Sequence, residues 1–80
     1  MVATKSFVLI EVEVDKARHV TTAIQKVSGV RSVDQVTGPY DIIVVLEGQD
    51  LNAVGDLLHG KIHPIPGIIR IVTCLAISVS

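Results

Sequence analysis

The side chains most able to do chemistry in this chain gather in one short segment: Thr37, Gly38, Pro39, Tyr40 and Asp41. A glycine turn exposes backbone N–H groups that can meet a carboxylate. Asp41, next to it, can attract an ammonium group. The same residues also make an ordinary turn, because glycine tolerates unusual dihedrals and proline fixes its own. On that reading Asp41 accepts hydrogen bonds from backbone amides and Tyr40 packs with its hydroxyl in water. Residue types alone leave both readings open.

Other reactive types are scattered. His59 and His63 stand four residues apart and would share a helix face if a helix ran through Ile62. No third ligand lies near them in sequence and Pro64 follows at once, so no metal site is expected. His19 reads as a solvated helix residue. Cys74 has no assignable histidine partner and reads as a small apolar residue rather than a nucleophile. No catalytic residue and no cofactor are expected.

The elements that must position these groups follow from periodicity. Residues 7–14 alternate, with Val8, Ile10, Val12 and Val14 on one side and Phe7, Leu9, Glu11 and Glu13 on the other. Period two with β-branched residues predicts a strand. Asp15 stands where an N-cap belongs, and Val20, Ala23, Ile24 and Val27 recur at helical spacing. Gly29 supplies a left-handed stop. A second strand is expected over 30–36, and the turn at Thr37-Gly38-Pro39 leads into an unbroken aliphatic strand over 42–46. Asp50 caps a second helix with the stripe Leu51, Val54, Leu58 and Ile62. Gly55 weakens that helix by roughly 1 kcal/mol relative to alanine. Pro64, Pro66 and Gly67 end it, and the last strand is expected over 68–79.

A faint repeat relates the halves: Gly29-Val30-Arg31-Ser32-Val33 matches Gly67-Ile68-Ile69-Arg70-Ile71 in its glycine and apolar positions. Two interleaved β-α-β units predict an α+β, ferredoxin-like β-α-β-β-α-β fold. That fold is an antiparallel four-stranded sheet with both helices on one face.

Composition narrows the function classes. A chain of 80 residues is one domain and buries only about 60–65% of its unfolded surface. Yet 49% of it is hydrophobic, the mean hydropathy is +0.58, and Phe7 and Tyr40 are the only aromatics of the Phe, Trp and Tyr types. Two helices cannot cover both faces of the sheet, so the surplus aliphatic surface predicts a self-complementary dimer. Seven basic against eight acidic residues leave a charge of −1, without the basic run of a direct nucleic-acid binder. No apolar run approaches the roughly 20 residues of a membrane span. A single cysteine fits a cytoplasmic setting.

The run Val36-Thr37-Gly38-Pro39-Tyr40-Asp41-Ile42-Ile43-Val44 resembles the hairpin of the effector-binding (RAM) domain of Lrp/AsnC-type transcription regulators. Val27-Ser28-Gly29-Val30 before it, Pro66-Gly67-Ile68 after the second helix, and Thr73 in the last strand fall in the same order as in that family. The resemblance spans essentially the whole of 1–80 and includes no DNA-binding helix-turn-helix, so a stand-alone effector domain is expected. It implies dimers packed through their sheets in a barrel-like α/β arrangement, joined into octameric or decameric rings. It further implies an amino-acid effector between dimers, with Thr37, Gly38, Tyr40, Asp41 and Thr73 as the ligand-binding residues. Full-length Lrp/AsnC-type regulators are the implied partners.

Two other classes compete. Small dimeric ferredoxin-like monooxygenases and isomerases would need Asp41, His59 or His63 for acid–base work, and the sequence offers no convergent polar cluster. An ACT-like regulatory domain would bind its amino acid where the first strand meets the first helix. Such domains usually carry a glycine there, whereas this chain reads Asp15-Lys16-Ala17-Arg18. An RNA-recognition sheet lacks its stacking aromatics, and a metal-carrier domain lacks its Cys-x-x-Cys.

Overall fold

Alternation of apolar and polar residues builds the strand on which the others assemble. In the computed structural model, which describes residues 3–77, strand β1 (Thr4–Val12) lies inside a four-stranded sheet of order β2-β3-β1-β4. Helix α1 (Ala17–Gln25) follows, then β2 (Val30–Gln35), β3 (Ile42–Gly48), α2 (Leu51–Leu57) running into a π-helical turn (Leu58–Ile62), and β4 (Ile68–Leu75). All neighbouring strands are antiparallel, with Phe7 opposite Val45 on one side and Cys74 on the other. The β-α-β-β-α-β ferredoxin-like architecture is as expected.

Burial separates the two faces. Ser6, Val8, Ile10 and Val12 of β1 are buried, as are Ile42, Val44 and Leu46 of β3. They meet Val20 and Ile24 of α1 and Val54, Leu58 and Ile62 of the second helical segment. Burying each such side chain contributes about 1.5–3 kcal/mol. The opposite face, bearing Phe7, Leu9, Ile43, Val45, Val72 and Cys74, has no covering element among the described residues.

Several local expectations are corrected. Strand β1 runs over Thr4–Val12 rather than 7–14, so Val14 is 87% exposed and belongs to a turn. Asp15 does not cap α1: it takes the left-handed conformation at φ 66°, a region more accessible to aspartate than to most residues. Lys16 occupies the cap position without a side-chain hydrogen bond. Asp50 does cap α2, accepting from the Ala53 N–H at 2.9 Å. Leu51 starts that helix at 58% exposure and is not part of the buried stripe. β4 extends over Ile68–Leu75, and Ser78 and Val79 of the expected strand lie outside the described residues.

One hairpin is closed by a hydrogen bond of its own and tied to β1 by two more. The Val36 N–H donates to the Asp41 carbonyl at 2.9 Å, closing the loop between β2 and β3. The Asp41 N–H donates to the Ile10 carbonyl, and the Val12 N–H donates to Asp41 Oδ2, each at 2.9 Å. Asp41 therefore belongs as much to β1 as to its own strand.

Two glycines should respond oppositely to substitution. Gly29 sits at φ 97°, and an added Cβ would lie 2.7 Å from Leu57 Cδ1. Gly29→Ala is expected to lower stability by about 1–3 kcal/mol, whereas Gly55→Ala, with open space around it, should gain about 0.5–1 kcal/mol. Urea unfolding at matched protein concentration checks both. Asp41→Ala strands the partly buried Val12 N–H and should cost about 1–3 kcal/mol, with faster hydrogen exchange at that amide. Asp41→Asn, which keeps an acceptor, should cost less.

Candidate functional site

The hairpin presents Thr37, Gly38 and Pro39 to solvent and leaves Tyr40 and Asp41 half-buried. Gly38 has φ 122°, yet a Cβ there would meet nothing within 4 Å. Its glycine is required by the dihedral, not by space, and the tip is open to an incoming molecule. Asp41 spends one carboxylate oxygen on β1, so its structural role is physical and any ligand must share it.

Tyr40 reaches across the end of the sheet to β4. Arg70 Nη2 donates to Tyr40 Oη at 2.7 Å, and the guanidinium carbon lies 5.2 Å from the ring centroid. Arg70 also faces Glu11, its register partner on β1, with Nε 3.9 Å from Oε1. Both side chains are well exposed, so that ion pair contributes little to stability. The cluster Tyr40, Arg70 and Glu11 sits on the uncovered face at the hairpin end. Arg70 further lines a depression of about 280 Å³ with His63, Ile68, Ile69 and Ile71. Its lining mixes polar and aliphatic surface; a cation at its edge can hold a carboxylate while the exposed Ile69 offers contact to an apolar group.

Thr73 is not brought to this cluster. It pairs with Val8, whose side chain is buried under the helices, so Thr73 faces the helix side of the edge strand. It also stands three residues along β4 from Arg70, roughly 10 Å at strand spacing. Within one chain the structure joins Thr37, Gly38, Tyr40 and Asp41 and leaves Thr73 apart. Arg70 and Glu11 are the functional candidates that sequence reasoning passed over. A lone cation inside Ile68-Ile69-Arg70-Ile71-Val72 was the available signal; its partners are visible only once the register is known.

Two further depressions lie elsewhere. One of about 440 Å³ opens where β1 meets α1, lined by Glu13, Asp15, Lys16, His19, Pro66 and Gly67. One of about 340 Å³ lies between the helices, lined by Lys26, Val27, Ser28, Leu57 and Lys61. Among the described residues, no group of three or more His, Cys, Asp or Glu side chains is placed to hold a metal ion. Nor is any described helix long and apolar enough to cross a membrane.

The fold recurs in solved structures. The Thermus thermophilus protein TTHA0845 superposes with a TM-score of 0.92 at 28% identity, covering 96% of each chain. AsnC of E. coli gives 0.90 at 18% identity over 95% of this chain and 52% of its own. The transcriptional regulator NMB0573 of Neisseria meningitidis, solved as a complex with L-Met, gives 0.83 at 17% identity over 94% of this chain and 50% of its own. At those lower identities the likeness concerns the fold alone, and this chain spans about half of either regulator. No curated protein matches the chain by sequence. The family model of the Lrp/AsnC ligand binding domain matches residues 5–80, nearly the full length, and the chain belongs to that family.

Proposed function

We propose that this chain is an oligomeric amino-acid sensor, non-enzymatic, whose effector binds at the hairpin end of the sheet. The observation that carries this reading is the contact of Tyr40 with Arg70 beside an open depression of mixed polar and aliphatic lining. A zwitterion needs a partner for its carboxylate, a partner for its ammonium and room for its side chain. Arg70 and the amides of the Gly38 turn suit the carboxylate. Glu11 and the free oxygen of Asp41 suit the ammonium, and Ile68, Ile69 and Ile71 suit an apolar side chain. The L-Met complex of a regulator with the same fold supports an amino acid as the ligand class.

The uncovered face supports the oligomer. Phe7 is 39% exposed, and Leu9, Ile43, Val45 and Val72 beside it are half-buried with no described element packed on them. Each apolar Å² left in water costs roughly 25 cal/mol, and a second copy packed face to face removes that cost. Rings of such dimers, octameric or decameric, would place Thr73 of one dimer within reach of another's hairpin, giving that residue the role its own chain does not. Mixed assembly with full-length Lrp/AsnC-type regulators would carry the signal to a gene in the cytoplasm, with no direct DNA contact by this domain.

A second reading has its own observation: the depression of about 440 Å³ at the junction of β1 and α1 is lined by Lys16 together with Glu13 and Asp15. An ACT-like site would lie there. Thermal-shift measurements with the twenty amino acids separate the two. A bound effector stabilises by about 2.7 kcal/mol at a hundredfold excess over its Kd, so a hit should raise the melting temperature. Tyr40→Ala and Arg70→Ala should abolish the shift while Lys16→Ala keeps it; the reverse pattern moves the site to the junction, and no response to any amino acid at millimolar concentration rejects sensing. For the oligomer, sedimentation velocity should find the wild type as dimers or larger and Phe7→Asp as smaller species. A stable wild-type monomer at micromolar concentration would overturn the assembly.

A further inference from the structure

His59 and His63 are brought together by an irregularity in the second helical segment. After Leu57 the backbone widens into a π-helical turn, closed by the His63 N–H donating to the Leu58 carbonyl at 2.7 Å. His63 keeps helical dihedrals, φ −54° and ψ −38°, so the winding continues through it up to Pro64. The helical path through Ile62 on which a shared face depends is therefore present. Both histidines are exposed, and their ring centroids lie 4.9 Å apart with planes inclined at 71°. Single-turn π segments in helices occur frequently at functional sites.

That separation has a chemical meaning. A metal–imidazole nitrogen bond is about 2.0–2.1 Å, which sets each ring centroid roughly 3.2 Å from the ion. Two rings bound to one ion at angles between square and tetrahedral therefore have centroids roughly 4.5–5.2 Å apart. The observed 4.9 Å falls inside this window. Lys61 lies between the two histidines in the turn, and Arg70 shares the hollow beside His63. Those cations disfavour a bare ion electrostatically, so imidazole donation has to supply the affinity. No third protein ligand stands ready among the described residues, which leaves the remaining positions to water or to donors from another molecule.

We infer that His59 and His63 form a two-point chelating site for a divalent transition-metal ion of the copper–zinc class, on the outer side of the π turn. Imidazole pairs select such ions over Mg²⁺ and Ca²⁺, which require oxygen donors. Cu²⁺ should bind more tightly than Zn²⁺. The site is separate from the Tyr40–Arg70 cluster and does not depend on amino-acid sensing.

Titration of the full chain with Cu²⁺, Zn²⁺ and Mg²⁺, followed by calorimetry, tests it, with histidine ring-proton NMR locating the Zn²⁺. The expected result is one Cu²⁺ or Zn²⁺ per chain, no heat with Mg²⁺, and shifts of the His59 and His63 signals that leave His19 unchanged. Because the second imidazole binds at high effective concentration, His59→Ala and His63→Ala should each lower affinity by roughly tenfold or more. Both variants change exposed residues, and unchanged circular dichroism verifies their fold. Loss of one independent site at unaltered affinity in each variant would overturn the chelate and leave a simple ring–ring contact. Binding that follows His19→Ala or Cys74→Ser, or no saturable binding at millimolar metal, would overturn it too.

Discussion

Two short helices and a π-helical turn cover one face of a four-stranded sheet and cannot cover the other. Most of the molecule's character depends on that constraint. The inner face is packed without exposure at Val8, Ile10, Ile42, Val44 and Leu46, which gives the small domain its core. The outer face carries a comparable run of aliphatic side chains across β1, β3 and β4. Charged groups stand at its two ends: Lys5, Arg31 and Glu47 at one, with Arg31 Nε 3.4 Å from Glu47 Oε1, and Glu11 and Arg70 at the other. Ser32 and Asp34 of β2, opposite Val45 and Ile43, border it along one edge. An apolar stripe framed by polar groups suits the proposed packing against a second copy, in which the stripe would shed water and the charges would set register.

Chemistry concentrates at the hairpin end for a related reason. Strand edges and turns expose backbone groups that the sheet interior has already paired, and the β2–β3 loop adds a glycine whose dihedral opens its amides. The same end gathers Tyr40, Arg70, Glu11 and Asp41, residues drawn from three parts of the sequence. None of them is deeply buried, so solvent screens their charges. An effector at this end, as proposed, would be held more strongly wherever a neighbouring copy excluded water.

The fold was legible in the sequence wherever one physical term dominated. Ile42 to Leu46 reads as a strand and is one, though the described elements cover only its Ile42, Val44 and Leu46 face. Asp50 marks a helix start because an orphan N–H there needs an acceptor. Gly29 is not the helix stop its position suggests: α1 ends at Gln25 with Lys26 as its cap, Val27 lies beyond it, and Gly29 serves the turn into β2. Reading failed where two terms compete. Asp15 suits an N-cap and a left-handed turn alike, and the turn won, carrying Val14 out of the core. Leu51 has the spacing of a stripe residue but lies on the first turn, before the helix reaches the sheet. Of the candidate site, the Gly38 to Asp41 loop could be read directly, since its chemistry is local. The Tyr40–Arg70 contact spans 30 positions and follows from the β1–β4 register that sets Arg70 opposite Glu11, which no periodicity encodes. The face that Thr73 takes is likewise set by its pairing with Val8, which sequence spacing does not encode.

The bond from the Val12 amide to Asp41 has one more consequence. Hairpins in most sheets are free to rock about their own two strands, but this one is tied by side chain and backbone to a third. That third strand also carries Phe7 and Leu9 on the outer face. The position of the loop and that of β1 are thus fixed together, and β1 also sets Val8 and Ile10 into the core. One strand is the common reference for the loop from Thr37 to Tyr40, for the packed layer and for the outer surface.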